Sequence, residues 1–139
     1  MRLESLITFY HRLTPESLAQ LTDFYAKEAY FKDPFNEVRG VDAIRKIFEH
    51  MFQQVAEPRF FVTEHVADGS GAMLVWEFHF RMRWPRSSAR LVRGVSHLKF
   101  NTDGQVTYHR DYWDAAEELY MTLPGLGLLL RGLRRAIRA

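Results

Sequence analysis

The chain has 139 residues, 47% hydrophobic and 14% aromatic, which is enough for one domain with a real core and too few for two ordinary ones. A net charge of +2 argues against a polyanionic partner, so nucleic acid is not an expected ligand, and the absence of cysteine excludes disulfides. No apolar run approaches the roughly 20 residues of a membrane span, and the N-terminus lacks the apolar stretch of a signal peptide, which makes the cytoplasm the expected compartment.

Leu3, Leu6, Ile7, Tyr10 and Leu13 recur at helical spacing and predict a first helix over residues 2–13. Thr14-Pro15 offers an N-cap with proline at the first helical position, and Leu18, Leu21, Phe24 and Tyr25 continue a second helix to about Lys27. The chain then extends through Phe31–Phe35, because the residue before Pro34 avoids the α region, with a short fifth strand possible near Tyr30–Phe35. After the Gly40 turn, Ile44, Ile47, Phe48, Met51, Phe52 and Val55 predict the strongest helix. Beyond Pro58 the period changes to 2. Strands are predicted over 59–66, 72–84, 90–100 and 105–113, separated by turns at Asp68–Gly71, Pro85–Ser88 and Asn101–Gly104.

Three helices followed by a four-stranded antiparallel meander predict an α+β domain over 1–114, helices on one face of a curved sheet, with a helical extension over 115–139. Leu74, Trp76, Phe78, Phe80, Met82 and Trp84 alternate onto one face, too aromatic to be solvated. Twist would fold such a sheet around the helices as a cone with one open mouth. The opposite face, with Val75, Glu77, His79, Arg81 and Tyr112, is the expected homodimer surface.

Two aspartates call for explanation. Asp33 lies among aromatics in Tyr30-Phe31-Lys32-Asp33-Pro34-Phe35; it reads as a turn former or as a ligand-facing carboxylate. Asp111 sits within a strand, where aspartate is disfavoured. Period 2 places His109, Asp111 and Trp113 on one face, so a pocket-facing Asp111 brings His109 with it. His97 alternates with Ser96, and only one of the two can point inward. A carboxylate and a histidine in a pocket are the groups that proton-transfer chemistry uses. No metal site is expected, because the six histidines are scattered and no local ligand pair occurs. No phosphate-binding loop occurs either, and no cofactor is expected.

The Lys32-Asp33-Pro34 step before Gly40, with a meander ending in Arg110-Asp111-Tyr112-Trp113-Asp114, resembles the nuclear transport factor 2-like superfamily. It is closest to the SnoaL-like branch, which is similar to ketosteroid isomerases, polyketide cyclases and limonene epoxide hydrolase. The resemblance covers about residues 3–114 and implies a cone-shaped, cystatin-like fold. It places Asp33 where the isomerases carry a general base. It places the isomerase oxyanion-hole positions near Phe9 and Ser96, with Tyr10 one residue on. Asp111 falls where the epoxide hydrolase has one of its aspartates, the other two positions being Phe78 and Phe80. The version implied for this chain is a SnoaL-like aspartate acid/base (Asp111 or Asp33) with a histidine (His109 or His97), walled by Trp76, Phe78, Phe80, Trp113, Tyr10 and Phe9.

The expected function is binding of a small, largely apolar molecule bearing a carbonyl or hydroxyl, with cofactor-independent proton transfer of the isomerase, cyclase or dehydratase type. The alternative is a non-catalytic ligand-binding or dimerisation module. Leu126, Leu129, Leu130, Leu133 and Ile137 share one helical face beside Arg131, Arg134, Arg135 and Arg138. This face is expected to close the mouth of the cone or meet a partner subunit; an anionic membrane surface is the less favoured destination.

Overall fold

The computed structural model describes residues 2–83, 87–118 and 125–138. The first helix forms as expected, α1 over Arg2–His11. Thr14 and Ser17 then close a reciprocal cap: the Ser17 amide donates to Thr14 Oγ1 at 3.1 Å and the Thr14 amide to Ser17 Oγ at 2.9 Å. The helical segment after this cap is shorter than expected. A 3-10 turn over Glu16–Gln20 leads into a single turn, α2, over Leu21–Phe24. Tyr25 is already extended, and β1 runs over Tyr25–Lys32. Helical spacing persists from Leu18 to Tyr25, but Tyr25, Ala29 and Phe31 also share strand parity, and all three are buried. Strand pairing decides between the two periods.

A hairpin joins β1 to β2 (Glu37–Arg39), and Gly40 opens α3 (Val41–Gln54). Gly40 has φ 103°, a region that favours glycine, and its amide donates to the Ala29 carbonyl at 2.8 Å. The meander comes next as β3 (Val55–Ala67), β4 (Gly71–Met82), β5 (Ser88–Phe100) and β6 (Val106–Tyr112). The sheet has six strands rather than four or five, in the order β2-β1-β6-β5-β4-β3. The meander is antiparallel as expected, but β1 pairs parallel to β6, with Phe31 opposite His109. A parallel neighbour needs a long crossover; here α3 and the whole meander intervene. Pro58 is tolerated within β3 because that strand lies at the edge, at a register break beside Glu57 with φ 54°.

The fold is α+β, with α1, α2 and α3 on the inner face of the sheet. Leu6, Leu21, Ile44 and Phe48 bury against Leu74, Trp76, Phe80, Leu98 and Val106. The two-residue alternation assigned to β4 holds along its length, with Ala72, Leu74, Trp76 and Phe80 buried. Trp84 and the Pro85 turn lie outside the described residues. On the outer face, Glu77 pairs with His79 at 3.0 Å, and Tyr30 stacks on Tyr108 at 5.2 Å.

The last strand leads into α4 (Ala115–Glu118), tied to β5 by an Arg93–Glu118 ion pair at 3.5 Å. The expected continuation to Met121 and the break at Pro124 lie outside the described residues. A final helix, α5, runs over Leu126–Ile137, starting where the sequence places it. Its apolar face is not buried in the mouth as expected: Leu129, Leu133 and Ile137 are 69%, 55% and 75% exposed.

Candidate functional site

The register of three strands builds the site. Across β5 and β6, Ser96 stands opposite Asp111; across β4 and β5, Trp76 stands opposite Gly94. A Cβ on Gly94 would lie 2.4 Å from the Trp76 ring, so glycine is what lets the indole lie flat over β5. The indole Nε1 donates to Ser96 Oγ at 2.9 Å, and the Ser96 hydroxyl donates to Asp111 Oδ1 at 2.5 Å. The same Oδ1 meets His109 Nε2 at 2.7 Å. His109 Nδ1 contacts the Tyr25 hydroxyl at 2.7 Å, and that hydroxyl contacts Tyr10 Oη at 2.5 Å. One polar chain therefore crosses the core, Tyr10–Tyr25–His109–Asp111–Ser96–Trp76, drawn from α1, β1, β4, β5 and β6.

With Asp111 ionised, His109 Nε2–H donates to the carboxylate, leaving Nδ1 to accept from Tyr25 and the Tyr25 oxygen to accept from Tyr10. The imidazole is enclosed by aromatic rings; Phe31 lies edge-on at 4.8 Å and Tyr25 stacks at 5.9 Å. Burial holds the Tyr10 phenol well above the ordinary tyrosine range; the Tyr25 hydrogen bond works against this, and the Asp111 charge adds to it. Burial raises Tyr25 too, reinforced by Tyr10 and Asp111. Both phenols thus remain neutral hydrogen-bond donors at ordinary pH.

Asp111 lines three spaces: two that share Phe48, Phe60 and Trp76, and a more open cleft that it shares with Lys32 and Arg110. A recess of about 30 Å³, room for one water-sized group, is bounded by Tyr10, Ser96, His109 and Asp111 beneath Phe48, Phe60 and Trp76. A larger cavity of about 180 Å³ is lined by Phe31, Asp33, Phe60, Trp76, Phe78, Phe80, Asp111 and Trp113, among others. An apolar cavity of about 150 Å³ suffices for a benzene ring. None of the described residues lining the recess or the larger cavity is Lys or Arg. While Oδ1 of Asp111 takes two donors, Oδ2 has no partner among the described residues. Asp111 is thus a carboxylate fixed by one oxygen and without a described partner on the other, bordering an aromatic cavity with no Lys or Arg among its described lining; Lys32 and Arg110 line only the separate cleft. His11 Nε2 accepts the Val62 amide at 2.9 Å and so seats β3, which carries the Phe60 wall, on α1.

The structure brings together Asp111, His109, Trp76, Phe78, Phe80, Trp113 and Tyr10 among the residues expected from sequence. It separates His97 and Phe9 from them and holds Asp33 at the rim. His97 is on the outer face, edge-on to Tyr108 at 5.3 Å; strand alternation sends Ser96 inward in its place. Phe9 points away from the cavity and stacks on Phe24 at 4.8 Å, so Tyr10 is the α1 residue that reaches the site. Asp33 borders the larger cavity, but its Oδ1 accepts the amides of Phe35 and Asn36 at 2.8 and 2.7 Å, and Asn36 Nδ2 lies 3.2 and 3.3 Å from its two oxygens. It is a turn-former at the rim. Tyr25 was missed because its spacing reads as helix. Ser96 appeared in sequence only as an oxyanion-hole position and as the alternative to His97; a lone polar residue in the buried alternation Val92, Gly94, Ser96, Leu98 was the available signal. Among the described residues no three His, Asp or Glu side chains converge on a metal-sized site.

The sequence model of the family described as SnoaL-like domain matches residues 6–109, stopping just short of Asp111. No curated protein matches the sequence. Solved structures do match its fold. A candidate SnoaL-like polyketide cyclase from Jannaschia sp. CCS1 superposes with TM-score 0.72 at 12% identity, covering 84% of this chain and 87% of its own. Another from Shewanella putrefaciens CN-32 gives 0.70 at 21% identity, covering 86% and 96%. A protein with a ketosteroid isomerase-like fold from Catenulispora acidiphila DSM 44928, in complex with trimethylamine, gives 0.70 at 13% identity, covering 85% and 88%.

Proposed function

Since the chain belongs to the SnoaL-like domain family, we propose that it binds a small, largely apolar molecule bearing a carbonyl or hydroxyl and, where the group is a carbonyl, catalyses proton transfer at the carbon beside it, with Asp111 as acid/base and His109 as its partner. The observation that carries this reading is the division of labour on Asp111: Oδ1 is anchored by Ser96 and His109, and Oδ2 is unpartnered among the described residues lining an aromatic cavity. A ring or short chain in the larger cavity would present a C–H bond to Oδ2. The proton passes to that oxygen, and the C–H electron pair moves onto the carbonyl as an enolate. Where a neighbouring C=C conjugates with the enolate, return of the proton at the far carbon is isomerisation; attack of the enolate on a second carbonyl, whose new alkoxide then takes the proton back from Oδ2, is ring closure.

The enolate oxygen fits the recess beside Tyr10. If His109 holds a second proton, Nδ1–H donates to Tyr25, Tyr25 donates to Tyr10, and the Tyr10 hydroxyl is released towards the recess, where the oxyanion would sit. The chain thus couples the protonation of His109 to the donor a substrate meets. The second reading, a non-catalytic binding module, is favoured by one feature: the cavity is small, well below the roughly 300 Å³ at which ordinary ligand pockets begin. A thermal-shift panel of cyclic ketones and enones on wild type, Asp111→Asn and Asp33→Asn tests the proposal. Stabilisation by a ketone that is lost in Asp111→Asn and kept in Asp33→Asn is expected; stabilisation unchanged in both variants removes the aspartates from ligand binding.

A further inference from the structure

We propose that α5 is a docking helix for an anionic lipid surface. Along Leu126–Ile137, a rotation of about 100° per residue puts Leu126, Leu129, Leu130, Leu133 and Ile137 on one face. Arg131, Arg134, Arg135 and Arg138 fall on a single adjoining arc, and no acidic residue follows Glu118. The structure leaves this apolar face in water, with Leu129 at 69%, Leu133 at 55% and Ile137 at 75% exposure. Of nineteen basic residues set against seventeen acidic ones, four belong to this segment, so the rest of the chain is net negative and attraction to an anionic surface is concentrated here.

Size argues against a second copy of the chain as the occupant. A 12-residue helix is about 18 Å long, and its face covers on the order of 200 Å², far short of the roughly 800 Å² per partner of a stable interface. A lipid surface needs no such area, because leucines entering the acyl boundary and arginines meeting headgroups act together. Among the described residues no helix is long and apolar enough to cross a membrane, so the contact is one of lying on the surface. It is reversible and weakened by salt.

The test sediments the full chain with vesicles of phosphatidylglycerol mixed with phosphatidylcholine, and with phosphatidylcholine alone, at low and high salt. Wild type is expected to pellet with the anionic vesicles, at least about tenfold less with the neutral ones, and less in high salt. Leu129→Glu/Leu133→Glu and Arg134→Glu/Arg135→Glu should each lose anionic binding by about tenfold or more, with unchanged melting temperature and solution mass. Failure of wild type to pellet with anionic vesicles overturns the proposal, as does undiminished binding by either folded variant. A fall in solution mass on Leu129→Glu/Leu133→Glu assigns the face to a second copy and overturns it equally.

Discussion

The two aspartates that border the same cavity are held in opposite ways. Asp33 takes all its hydrogen bonds from residues two and three positions ahead, within its own turn. Asp111 takes one of its two bonds from the neighbouring strand and the other from His109, which is held by Tyr25 84 residues away in sequence. A carboxylate satisfied locally has its lone pairs occupied by a turn, whatever cavity it borders. A carboxylate held by distant partners is oriented by the whole fold and keeps an oxygen for a ligand. Cavity lining alone does not separate the two, because both residues line it.

The distant network should be fragile where it is tightest. Gly94→Val should give the largest loss, about 3 kcal/mol, because the new side chain must displace the Trp76 ring, as overpacking does elsewhere; urea unfolding measures it, and a loss below about 0.5 kcal/mol would mean that the indole can lie elsewhere. Asp111→Ala should cost about 2 kcal/mol by leaving Ser96 and His109 without their acceptor. Stability should also fall at alkaline pH. The Tyr10 and Tyr25 phenols are raised above the ordinary value of 10.0, so above that pH the unfolded chain loses protons that the folded chain keeps. Below pH 10 the two phenols contribute no pH dependence; above it each contributes a decline of about 1.4 kcal/mol per pH unit until its folded group titrates. Thermal melts across this range should show the decline, and Tyr10→Phe should make it shallower. The local carboxylate should matter least: Asp33→Ala should cost about 1 kcal/mol from the turn, with no change in the alkaline profile.

Legibility in the sequence divides along the same line. Period 2 put Trp76, Phe78 and Phe80 on the inner face and joined His109 to Asp111, because alternation along one strand is a local property. The helices α1 and α3 were legible from spacing, and the turn at Asp33 from its proline. The parallel pairing of β1 with β6 was not, since partners so far apart leave no mark on neighbouring residues. Tyr25 was hidden for that reason: helical spacing runs up to it, and only pairing with β6 turns it towards His109. The choice between Phe9 and Tyr10 depends on the rotation of α1 about its axis, which packing against the sheet sets. For α5 the pattern was legible and the burial was not, because an apolar face indicates that something covers it without indicating what.

On the proposed reading, the free oxygen of Asp111 moves a proton. Deuterium uptake at the carbon beside the carbonyl, followed by proton NMR on a panel of small cyclic ketones in heavy water, reads that step without knowledge of the natural substrate. Wild type and Asp33→Asn should accelerate exchange of at least one ketone, and Asp111→Asn, still folded, should lose the acceleration by about a hundredfold or more. Equal exchange by wild type and Asp111→Asn, or none above buffer for any ketone that binds wild type, would contradict the account and leave a binding module in its place.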